Sequence, residues 1–517
     1  MVVENHFSGW TMKKVRPSAL SVFVILLVFF FGNSFASETS VISLKIIHMN
    51  DLHGHLEPAV DKTASPASMH GGAAYFGAMV LGEKSADPQG AIVLSAGDMF
   101  QGTPVSNVFR GRPVTEIMNY LGFDAMALGN HEFDWGWPEL RKMESQARFP
   151  YLAANLANKD GSAVQGIKKA IYLERKSIRI AVIGIVTPDT PFSTNPRNVK
   201  DFSFQTPESV LPGMISEARN AGAKLVLVLS HCGLDRDRAI AERVPGIDII
   251  VGGHSHTVVT PPYIAGKTII VQAGSWGNYL GVLDLQLDPA TGRVLKYSRD
   301  NLKPVIAGPG IVPDNKINGI IRKYSDKIKK EFSRVVGRTR TDLLRSPDGE
   351  SNLGDLICDA MRSEAAAEIA FYNSGGIRAD IFKGKIRLEQ AFETLPFDNV
   401  MVSMDLTGAQ IRSILEHGAA REFGIVQVSG MKVKINPSNP RGGRVVEALI
   451  SGRALEPERT YRVATNEFLA SGGDRYVSFK QGKNIVYGDD VRDVFVRHLE
   501  KHSPVSPGVE GRIEIVQ

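Results

Sequence analysis

Seven short apolar runs constrain this chain more than anything else in it: SLKIIHMN (43–50), AIVLSAG (91–97), AMALGN (125–130), IRIAVIGI (178–185), KLVLVLS (224–230), IDIIVGG (247–253) and TIIVQAG (268–274). Runs this short and this continuous suit strands covered on both faces, so a layered α/β architecture is expected. The residues at the ends of the runs are equally informative. Asp51-Leu52-His53 succeeds the first, Asp98 the second, Asn130-His131-Glu132 the third, His231 the fifth and His254-Ser255-His256 the sixth. In sheets of this kind ligands gather beyond the carboxyl ends of the strands, where residues distant in sequence converge. Asp, Asn and His offer the oxygen and nitrogen donors that hard-to-borderline divalent metals prefer. Alternation along an extended segment would aim Asp51 with His53, and His254 with His256, to the same side. The glycines before His254 permit close backbone approach.

Asp51, His53, Asp98, Asn130, His231, His254 and His256 are more ligands than one tetrahedral or octahedral centre takes from protein alone. With Asp98 shared, they divide into two sets of four. Taken singly each signal is weak, because an Asp-x-His or Gly-Asp after a strand is common and a lone histidine is often a hydrogen-bonded core residue. Their joint occurrence at strand ends points to two ions. Two-metal sites hold their ions about 3.5–4 Å apart and clamp both the attacking and the leaving oxygen of an in-line displacement. Phosphate ester hydrolysis is therefore the expected reaction class.

The blocks NDLHGH (50–55), GDMFQG (97–102), GNHEFDWG (129–136) and GGHSH (252–256), in this order, resemble the calcineurin-like metallophosphoesterases, and within them the 5′-nucleotidase family. The resemblance implies a four-layer α-β-β-α catalytic domain. It places Asp51, His53, Asp98 and His256 on one ion, and Asp98, Asn130, His231 and His254 on the other. Some relatives carry glutamine at the position of His256. The ions are two divalent metals, with zinc, manganese, cobalt, magnesium and iron all compatible with the donors. His131 is implied as the residue that stabilises phosphoryl charge or protonates the leaving oxygen, with Asp134 orienting it. A carboxylate on one ring nitrogen fixes the tautomer and raises the basicity of the imidazole, which agrees with that role. The nucleophile is implied to be water rather than a side chain.

Between Asp314 and about Thr341 isoleucines and aromatics recur at helical spacing among charges, which predicts an amphipathic linker helix. It divides a catalytic domain (37–313) from a second α/β domain (342–517) large enough for its own core, with a helix predicted over 352–364. Three stretches of that second unit resemble the family's nucleotide-binding carboxy-terminal domain. In AFYNSGGIRAD (370–380), Asn373 matches a substrate-contacting amide, Gly375 and Gly376 a close-approach turn, and Arg378 a phosphate-binding guanidinium. Phe397 and Phe468 match two rings between which a nucleobase stacks, and Asp474 a carboxylate for ribose hydroxyls. Gly349 stands where some relatives place a further arginine, and neither Arg340 nor Arg345 is assigned to that role.

The formal charge of +5 falls to +3 once Glu4, Lys13, Lys14 and Arg16 are set aside, and no long basic block exists. That gives no support to a nucleic-acid polymer as partner. Those basic residues precede an apolar run, Ala19 to Phe31, followed by Ser34-Phe35-Ala36, the layout of a secretory signal peptide cleaved after Ala36. The run is shorter than the roughly 20 residues a span needs, so no lasting membrane anchor is expected. Met12 opens a more usual leader than Met1. Cys232 and Cys358 fall on different domains and are not expected to pair. The expected protein is a periplasmic or secreted nucleotide phosphohydrolase acting on nucleoside 5′-monophosphates, with UDP-sugars and other nucleotides as further substrates, serving nucleotide salvage. The alternatives are a 2′,3′-cyclic-nucleotide 2′-phosphodiesterase with 3′-nucleotidase activity and a non-catalytic nucleotide-binding surface protein.

Overall fold

A computed structural model describes residues 41–61 and 68–516. The leader expected at residues 1–36 lies outside the described residues. Every one of the seven apolar runs forms a strand: β1 (Ile42–Met49), β2 (Ala91–Ser95), β3 (Ala125–Ala127), β4 (Ile178–Val186), β5 (Leu225–His231), β6 (Ile249–Gly252) and β7 (Thr268–Val271). One more long strand, β8 (Tyr279–Leu287), pairs antiparallel with β1. Two sheets result. In the first, β8, β1, β2 and β3 lie side by side, with β1–β2 and β2–β3 parallel. In the second, β4, β5, β6 and β7 are mutually parallel neighbours.

Alternation decides which side chains go where. Leu44 and Ile46 of β1, with Ile92 and Leu94 of β2, meet Ile180, Val182, Leu227 and Leu229 in one apolar layer between the sheets. The intervening positions face outward onto helices. Ile47 and Val93 pack with Val80 of α1 (Ala73–Ala86), Ile117 and Leu121 of α2 (Arg112–Leu121) and Leu140 of α3 (Gly136–Gln146). On the other side Ile183, Val226 and Ile250 pack with Leu211 and Ile215 of α4 (Pro207–Asn220) and Ile240 of α5 (Leu234–Arg243). The layers therefore run helix, sheet, sheet, helix. At about 25 cal/mol per Å² of apolar area removed from water, this doubly covered arrangement is the main stabilising term of the first half.

The connecting helix α6 (Asn315–Phe332) starts where the Asp314 carboxylate accepts the Ile317 N–H. Ile317, Ile321 and Tyr324 bury one stripe of it against the first half's core, so the helix rides on that half. It is shorter than the sequence pattern suggests. Val335–Thr339 form a strand antiparallel to Gly384–Arg387, with a bulge at Val336, because β-branched residues such as Val335 and Val336 suit extended backbone better than a helix.

The second half holds a five-stranded sheet ordered Val426–Ser429, β9 (Ile369–Asn373), Thr460–Asn466, β10 (Val400–Thr407) and Lys483–Asp490. Helix α7 (Asn352–Glu364), capped by the Ser351 hydroxyl accepting Gly354 N–H, packs Leu353, Ile357 and Met361 into its core. Among the described residues no helix is long and apolar enough to cross a membrane. Cys232 and Cys358 are both free and buried.

Candidate metal centre

The carboxyl ends of β1, β2 and β3 in one sheet meet those of β5 and β6 in the other, and the expected donors meet there. The ligand atoms of Asp51, His53 and His256 lie within 4.8 Å of one another, as do those of Asp98, His231 and His254. In the first set His53 Nε2 is 3.2 Å from His256 Nε2, and His256 Nε2 is 3.4 Å from Asp51 Oδ1. In the second, His231 Nε2 is 3.0 Å from Asp98 Oδ2, out of line for a hydrogen bond. The two sets adjoin: the same Asp98 oxygen is 4.0 Å from His53 Nε2, and Asp51 Oδ1 is 4.0 Å from His231 Nε2.

The way the donors converge differs from the alternation read in the sequence. Asp51, His53, Asp98, His254 and His256 all have left-handed backbone, with φ between 50° and 75°. They occupy tight turns rather than extended segments, and such non-glycine strain is a signature of functional loops. The turns are interlocked: Asp51 N–H donates to Gly97 O, His53 N–H to Asp98 O, and Trp276 N–H to Asp51 O. His254 and His256 accordingly part, one to each set. The glycines beside them make room for protein atoms. A Cβ on Gly253 would fall 2.8 Å from Ala96 O and 2.9 Å from His231 Nδ1.

Two of the four rings are oriented from behind. His53 Nδ1 lies 2.9 Å from Gln101 O and His231 Nδ1 2.6 Å from Ala96 O. A carbonyl can only accept, so both Nδ1 atoms carry the proton and both Nε2 atoms present lone pairs to the centre. Asn130 donates its Nδ2 to Ser193 O at 3.0 Å, and its buried Oδ1 has no hydrogen-bond partner among the described residues. Two carboxylates and four imidazoles thus form two adjoining clusters, with the Asn130 amide next in sequence to Gly129 and His131, an arrangement that fits two divalent cations bound through nitrogen and oxygen. Without cations the charges fall on the protein. Burial opposes protonation of His231, yet the Asp98 carboxylate raises its pKa to about 10, whereas burial and the His231 charge lower that of His254 to about 4.

His131 opens the short turn after Asn130, and its Nδ1 is 2.7 Å from Asp134 Oδ2. Burial alone would lower its pKa, but the carboxylates of Asp134 and Asp98 raise it. Among the second-half residues, Asn373 donates to Asp474 at 3.3 Å and accepts from Asn466 at 2.9 Å. Gly376 sits against the Tyr372 ring, where a Cβ would fall 2.9 Å away, whereas Gly375 is open. Among the described residues the Arg378 guanidinium makes no ion pair with a carboxylate, and its side-chain hydrogen bond is a long contact of 3.5 Å to Gly375 O. Burial and the charge of Arg345 lower its pKa, while Asp98, Asp51 and Asp134 act the other way, so it stands beside the centre. Phe397 lies against His131. Phe468 is only 9% exposed and belongs to the second half's core, beneath Gly473, whose Cβ would lie 2.5 Å from the ring. The short helix Glu467–Ala470 carries this second of the two phenylalanines matched in the sequence.

Two supporting residues carried no role in the sequence reading. Buried Glu132 accepts the N–H groups of Asp98, Met99 and Gly129 at 2.7–2.9 Å and so clamps two donor turns together. Gln272 accepts from Ser255 Oγ and donates to Gly253 O, gripping the turn that holds His254 and His256. Its signal was available: it ends an apolar run with a polar group, as the donors do.

Comparison with known proteins places these features in context. Residues 44–258 match the family described as calcineurin-like phosphoesterase, and residues 333–481 match the 5′-nucleotidase C-terminal domain. The chain is 31% identical to human 5′-nucleotidase, over 91% of this chain and 90% of that protein. It is 30% identical to the trifunctional nucleotide phosphoesterase protein YfkN of Bacillus subtilis, over 92% of this chain but only 35% of that one. The solved 5′-nucleotidase precursor of Thermus thermophilus superimposes with a TM-score of 0.85 at 32% identity, covering 92% of this chain and 99% of that one.

Proposed function

Because the chain belongs to the 5′-nucleotidase family of metallophosphoesterases, and so to the phosphoric monoester hydrolases, we propose that it releases phosphate from nucleoside 5′-monophosphates outside the cytoplasm, in nucleotide salvage. UDP-sugars and other nucleotides are further candidate substrates. The observation that carries this reading is the pair of adjoining donor clusters, Asp51, His53 and His256 beside Asp98, His231 and His254, with the His131–Asp134 pair next to them. Asp51, His53, Asp98 and His256 would hold one divalent ion, and Asp98, Asn130, His231 and His254 the other. When bound, two such ions supply Lewis acidity that offsets phosphoryl charge and eases ionisation of water.

The chain's own groups do the rest. Asp134 fixes the Nδ1–H of His131, leaving Nε2 to donate to the phosphoryl group or the leaving ester oxygen. Arg378 can grip phosphate oxygens with two parallel N–H donors, and its lack of a carboxylate partner leaves those donors available. Asn373 and Asp474, already paired, offer an amide and a carboxylate to the sugar, and Phe397 a ring to the base. The catalytic half is residues 37–313 and the nucleotide-recognising half 342–517 in this reading, with a cleavable leader ending at Ala36 directing export.

The test is phosphate release from AMP, 3′-AMP, 2′,3′-cyclic AMP and UDP-glucose by the mature protein, before and after prolonged chelation. Fastest turnover of AMP, abolished by chelation and restored by a divalent ion, is expected. Preference for 3′-AMP and the cyclic nucleotide would favour the phosphodiesterase alternative. Nucleotide binding without turnover in the metal-loaded protein would favour the non-catalytic one.

A further inference from the structure

Residues 187–199 cross the rim of the centre as a strap. A short helix, Thr190–Ser193, leads into Thr194, whose N–H donates to Thr190 O at 3.1 Å. A tight turn, Pro196–Val199, comes next, capped by Asn195 accepting Arg197 N–H. The inner side of the strap is hooked to the centre at three places. Ser193 O accepts the Asn130 amide, Asn198 Nδ2 donates to the carbonyls of Phe133 and Asp134 at 3.1 and 2.7 Å, and Thr194 Oγ1 donates to Asp134 Oδ1 at 2.6 Å. Thr194 is 2% exposed. On the outer side Asp189 pairs with Arg475 at 2.5 Å, and Arg197 pairs with Glu467. Those two partners bracket the Phe468–Asp474 loop of the second half.

The Asp134 carboxylate is therefore held at both oxygens, by His131 Nδ1 at Oδ2 and by the Thr194 hydroxyl at Oδ1. A carboxylate fixed at one oxygen can still turn about its Cβ–Cγ bond and carry the imidazole with it. A second buried donor removes that freedom and leaves one ring orientation. We propose that Thr194 is a positioning residue for the His131–Asp134 pair, its hydroxyl setting the carboxylate plane so that His131 Nε2 faces the phosphoryl site. This rests on the proposed role of His131. It also means that seating of the second half, through Asp189–Arg475, bears on the same strap that aligns the pair.

The test compares metal-loaded Thr194→Val, Thr194→Ser, Asp134→Ala and the Asp134→Ala/Thr194→Val double variant on AMP. Thr194→Val should lower kcat about 10- to 100-fold, the usual cost of losing an orienting partner behind a site. Its KM should stay within about twofold and its metal content should match the parent. Thr194→Ser keeps the hydroxyl and should recover kcat to within about threefold. In the Asp134→Ala background the valine should add nothing, because the group it positions is gone. If the valine variant does not fold, Thr194→Ala carries the same comparison. Parental kcat in the valine variant, a serine variant as slow as the valine, or losses that multiply with Asp134→Ala would each overturn the proposal. If Asp134→Ala and His131→Ala themselves turn over normally, the reading of the pair fails instead, and the two failures are distinguishable.

Discussion

The ring of Phe397, carried by the second half, lies on the imidazole of His131 in the first, with centroids 5.4 Å apart and planes 28° from parallel. The turn is clasped from the first half: Asn107 Nδ2 donates to Pro396 O at 2.8 Å, and Arg110 pairs with Asp398 at 2.8 Å. The Arg378 guanidinium sits 5.9 Å from the same ring. In the proposed reading this brings the base-stacking ring against the residue that serves the phosphoryl group. Base–aromatic stacking contributes about 1–3 kcal/mol, so Phe397→Ala should raise KM for AMP about 5- to 150-fold. For β-glycerophosphate, which has no base, KM should hardly change. Equal losses on both substrates would mean that Phe397 serves His131 and not the base.

Two variants of the centre should separate holding metal from doing chemistry. Asp98 lies within 4.0 Å of ligand atoms of both sets, so Asp98→Asn should lose metal from both. His131→Ala removes no donor and should retain both ions while losing about 10²–10⁴-fold in kcat. Metal analysis of the dialysed proteins beside their AMP kinetics decides the matter. A metal-free His131→Ala variant would place that ring among the ligands.

Gly129 has ordinary backbone, yet a Cβ there would fall 2.1 Å from Asp98 Oδ1 and 2.7 Å from Asp98 N. Gly129→Ala should therefore push the shared carboxylate aside and reduce occupancy of both sets without a large change in overall secondary structure. Gly82 is the matched control, since it lies inside helix Ala73–Ala86 with nothing within 4 Å of its would-be Cβ. Gly82→Ala should stabilise the protein by about 0.5–1 kcal/mol and leave metal content unchanged. Equal metal content in the two alanine variants would refute the steric argument.

How much the chain discloses in advance, and how much it conceals, depends on the range of the forces involved. The strands from Ile42 to Val271 were legible because burial on both faces writes itself as uninterrupted apolar residues, and the donors because they punctuate those runs. The left-handed turns at Asp51, His53, Asp98, His254 and His256 were not, since no glycine marks those positions and the strain is sustained by hydrogen bonds to other loops. Thr194 binds a carboxylate 60 residues away and carries no local pattern of its own. The end of α6 at Phe332 was set by pairing with Gly384–Arg387, a partner that helical periodicity cannot sense.

Acid sensitivity should have a source outside the donor set. His48 on β1 is fully buried opposite Gly281 of β8, and neither of its ring nitrogens has a hydrogen-bond partner among the described residues. A Cβ on Gly281 would lie 2.1 Å from His48 Nε2, so the glycine makes the space the ring fills. Burial lowers the His48 pKa from 6.5 to about 3. Between those values the unfolded chain binds a proton that the native protein does not, so stability falls as pH falls. The contribution is whole above pH 6.5 and is lost progressively toward pH 3, at up to about 1.4 kcal/mol per pH unit. His48→Phe removes the titration and keeps an aromatic ring of similar shape, though a slightly larger one in a tight space. The variant can therefore be less stable than the parent at pH 7.5 while losing less on acidification. Urea midpoints of both proteins, metal-free, at pH 7.5, 6.5 and 5.5 check this. All other histidines are common to the pair, so the difference between the two pH slopes isolates position 48, and parallel slopes would rule the residue out as an acid trigger.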